Sequence, residues 1–261
     1  MTSAVIVQAR MGSTRLPGKV LEDLGAKTAL ARCLNRCKTI PGVDLVVCAI
    51  PDTAENDPVA EEAADNGVMV VRGDEHDVLS RYARAAREAG ADTVMRITSD
   101  CPFIDPVLAG GVLSLLKDSR ADYASNNAPA LFPHGLDCEA FSAELLFEAD
   151  RKAADPFERE HVTPWIRNHP RLSHVNLRGP GGGLERLRWT LDKPEDLAFF
   201  RAVFEAMGER AATAGAAELA GLCLRRPDIV AINAGQCDAA RLSADYPATR
   251  QTRPVPLGLA A

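Results

Sequence analysis

The stretch Val5-Ile6-Val7-Gln8-Ala9-Arg10-Met11-Gly12-Ser13-Thr14-Arg15-Leu16-Pro17-Gly18-Lys19-Val20-Leu21 decides how this chain is read. A short apolar, β-branched run ends at Gln8. Three cationic side chains, two glycines and two small hydroxyl residues follow before the first acid, Glu22. A buried strand feeding such a loop is suited to a polyphosphate. Arg10, Arg15 and Lys19 can surround the charge, Gly12 and Gly18 let the backbone approach, and Ser13 or Thr14 can donate to phosphate oxygens. Val20 follows Lys19 where a Walker loop needs Ser or Thr, and the dinucleotide glycine pattern is also missing. Three cations alone would make a solvated basic turn. Their position directly after the first strand favours phosphate binding.

Outward from this loop, apolar runs alternate with helical patterns. Val5–Val7, Asp44–Ile50, Val68–Val71 and Thr93–Ile97 read as strands. Thr28–Lys38, Ala54–Asn66, Asp77–Ala89 and Pro106–Lys117 read as helices, with Gly67 and Gly90 in the favoured position after a helix. The unbroken apolar run of the second strand suits a sheet covered on both faces. This β-α-β-α order predicts an α/β fold with a mostly parallel sheet and helices on both faces. Ligands in such sheets bind beyond the carboxyl ends of the strands. The loops at 8–19, 51–56, 72–77 and 99–105 are therefore the ones that matter.

The second half changes character. Ala121–Ser125, Leu136–Phe141, Leu172–Leu177 and Leu187–Leu191 look like strands, and Ser142–Ala153, Pro156–Asn168, Pro194–Met207 and Ala216–Leu224 like helices. Pro164 removes a backbone donor inside one of them, and a break there could turn Arg159 and His161 toward a pocket. We expect one α/β domain over 1–235, an acceptor and dimerisation region at about 121–190, and an irregular tail over 236–261.

Composition narrows the class. The 261 residues carry a formal net charge of −6, which argues against a nucleic-acid surface. The seven cysteines are odd in number and form no Cys-x-x-Cys pair, as expected of free thiols in a reducing cytosol. No signal peptide or membrane-spanning run is visible, so a cytoplasmic protein is expected.

Three further segments could carry chemistry. In Arg96–Pro106, Asp100 lies just past an apolar strand, where a carboxylate could hold Mg²⁺ against phosphate oxygens. Asp105 before Pro106 suits a helix cap. Asp192 follows an apolar run and precedes Pro194; alone it reads as a cap, and only pairing with Asp100 in space would make it a cation ligand. Phe157–Trp165 clusters charges around His161, which is as compatible with an exposed ion-paired face as with a pocket.

Taken together, these segments resemble the cytidylyltransferase family that includes the CMP-sugar-acid synthetases, most of all its spore-coat polysaccharide (SpsF-like) branch. The first loop resembles that branch's signature at every position from Gln8 to Leu21. Arg96–Pro106, Gly135–Phe141, Arg159–Pro164 and Leu191–Asp196 match its later motifs in order. The likeness runs from about Val5 to about Met207. It implies a nucleotide-diphospho-sugar-transferase-like (GT-A) fold and Mg²⁺-dependent transfer of CMP from CTP to a small anionic acceptor, with loss of pyrophosphate. Carried over by position, Arg15, Lys19 and Asp100 would be catalytic. Ala9, Arg10, Gly12, Ser13, Arg72 and Arg81 would bind the nucleotide. Glu139, Arg159 and His161 would face the acceptor, and Asp100 and Asp192 would hold the metal. A homodimer through Ala128–Trp165 is implied as well. Ser99 stands where the family has Gly, so a side chain must fit beside the nucleotide. A sugar acid is the family's usual acceptor. A small phosphonate or phosphate is an alternative, as is a glycosyltransferase using a nucleotide sugar, although no Asp-x-Asp triplet occurs.

Overall fold

Successive residues of the first strand face two different cores. In β1 (Ser3–Gln8), Val5 and Val7 belong to one apolar cluster and Ala4 and Ile6 to another. A period of two with both sets buried means that both faces of the sheet are covered. The computed structural model describes residues 1–238 and 241–242, together with the backbone of 253–255.

Helices supply the cover. On the Val5 side lie α1 (Ala29–Cys37), α2 (Asp57–Asp65), α4 (Pro106–Ser119), α8 (Pro194–Met207) and α9 (Ala216–Arg225), through residues such as Leu34, Val59, Leu113, Phe200 and Leu219. On the Ile6 side lie α3 (Val78–Glu88) and α5 (Ala143–Lys152), through Tyr82, Ala86 and Leu146. Local signals start these helices as the sequence indicated. Thr28, Asp77, Asp105 and Ser142 each accept a first-turn N–H with the side chain.

The remaining strands are β2 (Leu45–Pro51), β3 (Met69–Gly73), β4 (Thr93–Thr98), β5 (Tyr123–Ser125), β6 (Glu139–Ser142), β7 (His174–Leu177) and β8 (Arg253–Val255). The sheet order is β3-β2-β1-β4-β6-β5-β7-β8. All pairings are parallel except those of β6 with β4 and β5. The chain leaves β1 toward β2 on one side, while β4 lies on the other, and Gln8 is in register with Thr98. The loops after β1 and β4 therefore open side by side at a switch point, where doubly wound sheets bind their ligands.

Some second-half expectations need correction. Leu187–Leu191 is no ladder strand; Arg188 makes a single bridge to His134. β6 begins at Glu139 rather than Leu136. The segment Pro156–Asn168 splits into α6 (Pro156–His161) and α7 (Pro164–Asn168). Val162 takes φ 70° at the break, two residues before Pro164, which cannot donate. Within the stretch expected to be irregular, Arg253–Val255 pairs with β7 as an edge strand; residues 239–240, 243–252 and 256–261 lie outside the described residues. A further short helix, α10 (Pro227–Ala231), packs its Ile229 into the core.

Candidate active site

The β1 loop is folded on itself by its own backbone. Ser13 and Gly18 N–H groups both donate to the Met11 carbonyl, at 2.9 and 3.2 Å. Gly18 takes φ 71°, a left-handed conformation that a Cβ would strain. The Met11 N–H is held by the buried Asn56 side chain at 2.9 Å. The turn that follows buries Val20 and brings Lys19 back over the ends of β1 and β4.

A cleft of about 340 Å³ opens there. Ala9, Arg10, Gly12, Ser13, Arg15 and Lys19 line it from the first loop. Ser99, Asp100, Asp192, Arg81 and His161 line it from elsewhere. Ser99 is buried, so its side chain fits into the wall.

At its floor the Lys19 ammonium stands 2.5 Å from Asp192 and 3.3 Å from Asp100. The exposed Arg15 guanidinium reaches Asp192 at 3.3 Å. Burial works against charge on Lys19, yet the two carboxylates more than offset it and hold its pKa above the ordinary lysine value. Burial likewise opposes ionisation of Asp100. Lys19 and the Thr98 hydroxyl overcome that and keep the carboxyl at about 2.

Backbone pairing brings the two aspartates together across the chain. The Leu191 N–H donates to the Asp100 carbonyl at 2.8 Å, and the Trp189 N–H to the His134 carbonyl at 2.6 Å. Behind Asp192 is a brace that sequence reading missed. The fully buried Asp196 accepts the N–H groups of Asp192 and Lys193, each at 3.0 Å. It takes two Arg188 bonds at 2.8 Å. Asn233 closes the brace on Asp196 and on the Arg188 carbonyl. Asp196 sits in a matched motif, but Arg188 and Asn233 carry no local signal linking them to it.

Other expected residues are placed differently. Arg72 does not line the cleft; its guanidinium pairs with Asp57 at 2.6 Å. Arg159 is drawn into ion pairs with Asp77 and Asp150, so it ties α6 to the capped start of α3 and borders a separate hollow. Arg81 reaches the cleft wall, but its Nη1 donates to the Asp74 carbonyl. Glu139 is buried beneath an adjoining hollow, which His161 also lines. It accepts from Arg96 at 2.7 Å, from the Thr163 hydroxyl at 2.8 Å and from the Tyr123 hydroxyl. Burial opposes its ionisation, and the Arg96 charge overcomes this and holds it below the usual glutamate value.

The donor set fits a divalent ion of the Mg²⁺ kind. Among the described residues, no group of three or more His, Cys, Asp and Glu would cage a metal unaided. Mg²⁺ is commonly held by one or two carboxylates together with water and substrate phosphates. Asp100 and Asp192 offer that pair, and the ammonium seated against both shows that the place demands positive charge.

A mostly parallel α/β sheet with a cationic loop and two acids at its switch point defines a nucleotidyltransferase-like protein. Comparison with known proteins gives the class its family. The cytidylyltransferase family model matches residues 4–203. The spore coat polysaccharide biosynthesis protein SpsF of Bacillus subtilis is 36% identical over 231 residues, covering 85% of this chain and 94% of that protein. A 3-deoxy-manno-octulosonate cytidylyltransferase of Maricaulis maris is 32% identical over 191 residues, covering 69% of this chain and 73% of that one. The solved structure of a cytidylyltransferase from Leptospira borgpetersenii superposes with a TM-score of 0.82 at 30% identity, covering 88% of this chain and 97% of that one. The chain belongs to the cytidylyltransferase family. No helix among the described residues is long and apolar enough to cross a membrane.

Proposed function

We propose that the chain transfers CMP from CTP to a sugar acid, with Mg²⁺ at Asp100 and Asp192. The observation that carries this is the Lys19 ammonium bracketed by those two carboxylates beneath a cationic, glycine-bearing loop. Relatives named as octulosonate cytidylyltransferases support a sugar acid as acceptor.

The acceptor hydroxyl attacks the α-phosphorus of CTP, a new O–P bond forms as the bond from that phosphorus to the bridging oxygen breaks, pyrophosphate leaves, and the hydroxyl proton passes to solvent. Such transfers need positioning and charge neutralisation more than covalent help from the protein. Arg10 and Arg15, with Lys19, offer positive charge to the triphosphate, and the Gly12 N–H and the Ser13 hydroxyl offer donors. As charge develops on the leaving pyrophosphate, Arg15 and Lys19 stabilise it. Asp100 and Asp192 would hold the divalent ion, which supplies charge neutralisation at the α-phosphate. The Asp196 brace fixes the direction of Asp192, and the Leu191 N–H fixes its distance from Asp100. His161 stands on the wall shared with the adjoining hollow. We extend the reading to a homodimer through 128–165, supported by family likeness alone.

Pyrophosphate release from CTP, Mg²⁺ and a set of sugar acids tests this. The parent should release it with at least one acid, and chelation should stop the release. Asp100→Asn and Asp192→Asn should each lower turnover by about 100-fold or more, as loss of a transition-state charge partner does. Turnover unchanged in both variants would sink the reading.

A further inference from the structure

Asp100 and Asp192 also line a further hollow, of about 210 Å³. Arg96, Asn127, His134, Asp137, Thr190 and Arg241 form its wall. Three of these carry a buried polar atom with no partner: Nε of Arg96, Oδ1 of Asn127 and Nη1 of Arg241. Buried donors and acceptors are rarely left unsatisfied in native proteins, because each costs its full desolvation. Arg96 and Asn127 also border the hollow over Glu139, whereas Arg241 borders this cavity and not that one, and a ligand's polar atom would complete its set.

Arg241 is the decisive member. Its side chain is 7% exposed. Through Nη2 it pairs with Asp137 and donates to the Phe132 carbonyl at 3.3 Å, which fixes the plane of the guanidinium. Its Nη1 stays unused. Arg96 is fixed in the same way, by Glu139 at 2.7 Å and the Gln8 side chain at 3.4 Å. A pre-set guanidinium with a spare N–H suits a carboxylate or phosphonate oxygen. The neighbouring Asn127 carbonyl, Asp137 and the Thr190 hydroxyl suit hydroxyl groups. Asp238 adds a further acid, and burial holds His134 toward its neutral form. The wall as a whole fits a small hydroxylated anion better than a bare one. Arg241 also lies outside residues 4–203, which the family model covers.

We propose that this hollow holds the acceptor and that Arg241 reads the acceptor's anionic group. The proposal rests on the reading of the chain as a CMP transferase. The attacking oxygen would face Asp100 and Asp192, and the anionic group would lie at the far wall.

The test measures pyrophosphate release from CTP and Mg²⁺ with four probes: 3-deoxy-manno-octulosonate, gluconate, 2-hydroxyethylphosphonate and neutral glucitol. Parent, Arg241→Gln and Arg241→Lys are compared, each checked by thermal melting. The parent should use one or more of the anions and not glucitol. Arg241→Gln should raise the acceptor KM about 10- to 100-fold, the loss of one charge-assisted hydrogen bond, with the KM for CTP within about twofold. Arg241→Lys should fall between, and it serves alone if the glutamine variant does not fold. Which anions react separates carboxylate from phosphonate. An unchanged acceptor KM in a parent that uses acids overturns the Arg241 assignment and leaves the transferase reading standing. Preference for glucitol overturns the anionic acceptor. If no probe reacts while calorimetry shows CTP binding, the transferase reading fails, and this proposal fails with it.

Discussion

Residues 1–119 and residues 120–238 build the two walls of one cleft by different means. The first half places its functional loop through regular parallel strands and capped helices, and its loop closes mainly on itself: Gly18 and Ser13 bond to Met11 a few residues away, with the Asn56 side chain as a more distant anchor. The second half has an antiparallel strand, a broken helix and long loops, and it places Asp192 through buried polar contacts between distant residues. Periodicity and caps can position backbone. Aiming a carboxylate needs paired charges behind it. Polar substitutions far from solvent should therefore be costly in the second half, while the first half should tolerate most changes that keep its apolar pattern.

The hardest blow to that contrast, or its strongest support, comes from Asp196→Ala. The carboxylate is fully buried against Arg188 and two backbone N–H groups. Removing one partner of a buried pair costs about 3–5 kcal/mol. Thermal melting should show that loss, and turnover should fall because Asp192 is no longer aimed. A melting curve like the parent's would mean the brace is not needed. A pair of glycines gives the next largest effect. At Gly135 (φ 107°), a Cβ would stand 2.2 Å from the Trp189 carbonyl oxygen. At Gly67 (φ 68°), it would meet nothing within 4 Å. Gly135→Ala should cost about 3 kcal/mol through collision and strain, and Gly67→Ala about 1 kcal/mol through strain alone. Equal losses in denaturant titration would contradict the contrast between the halves.

The same contrast explains what could be read from the sequence. Every strand and α-helix up to Ser119 was legible, because apolar period and helix caps agreed there. That the cationic loop and Asp100 share one cleft was legible from their place after β1 and β4. Pairing of Asp100 with Asp192 was not visible, since it depends on the Leu191 N–H meeting a carbonyl some ninety residues earlier. Leu187–Leu191 looked like a strand because it is extended and apolar, but it runs along the Asp100 and His134 backbone rather than joining a ladder. Arg72 and Arg159 were drawn to the nucleotide and the acceptor by motif position, whereas nearby aspartates claim both side chains. Arg241 offered no signal, since nothing around it in the chain announces Asp137 as its partner.

A loss smaller than those at Asp196 and Gly135 concerns pH and sharpens the contrast within the second half itself. Glu139 is buried among Arg96, Tyr123 and Thr163, and its folded-state pKa lies below the ordinary glutamate value although burial pushes the other way. A carboxylate whose pKa is depressed by folding stabilises the fold fully above its unfolded value. That stabilisation is lost as pH falls through the depressed value, because the folded state must then take up a proton it resists. Glu139→Gln should cost about 2 kcal/mol at neutral pH, less than loss of Asp196, because the Arg96 side chain is partly open to the hollow. The melting temperature of the parent should drop more steeply on acidification than that of the variant, and the two curves should converge at the acid end. If they stay parallel as pH falls, the Arg96 charge is not what keeps Glu139 ionised, and the second half owes its rigidity to packing rather than to paired charges.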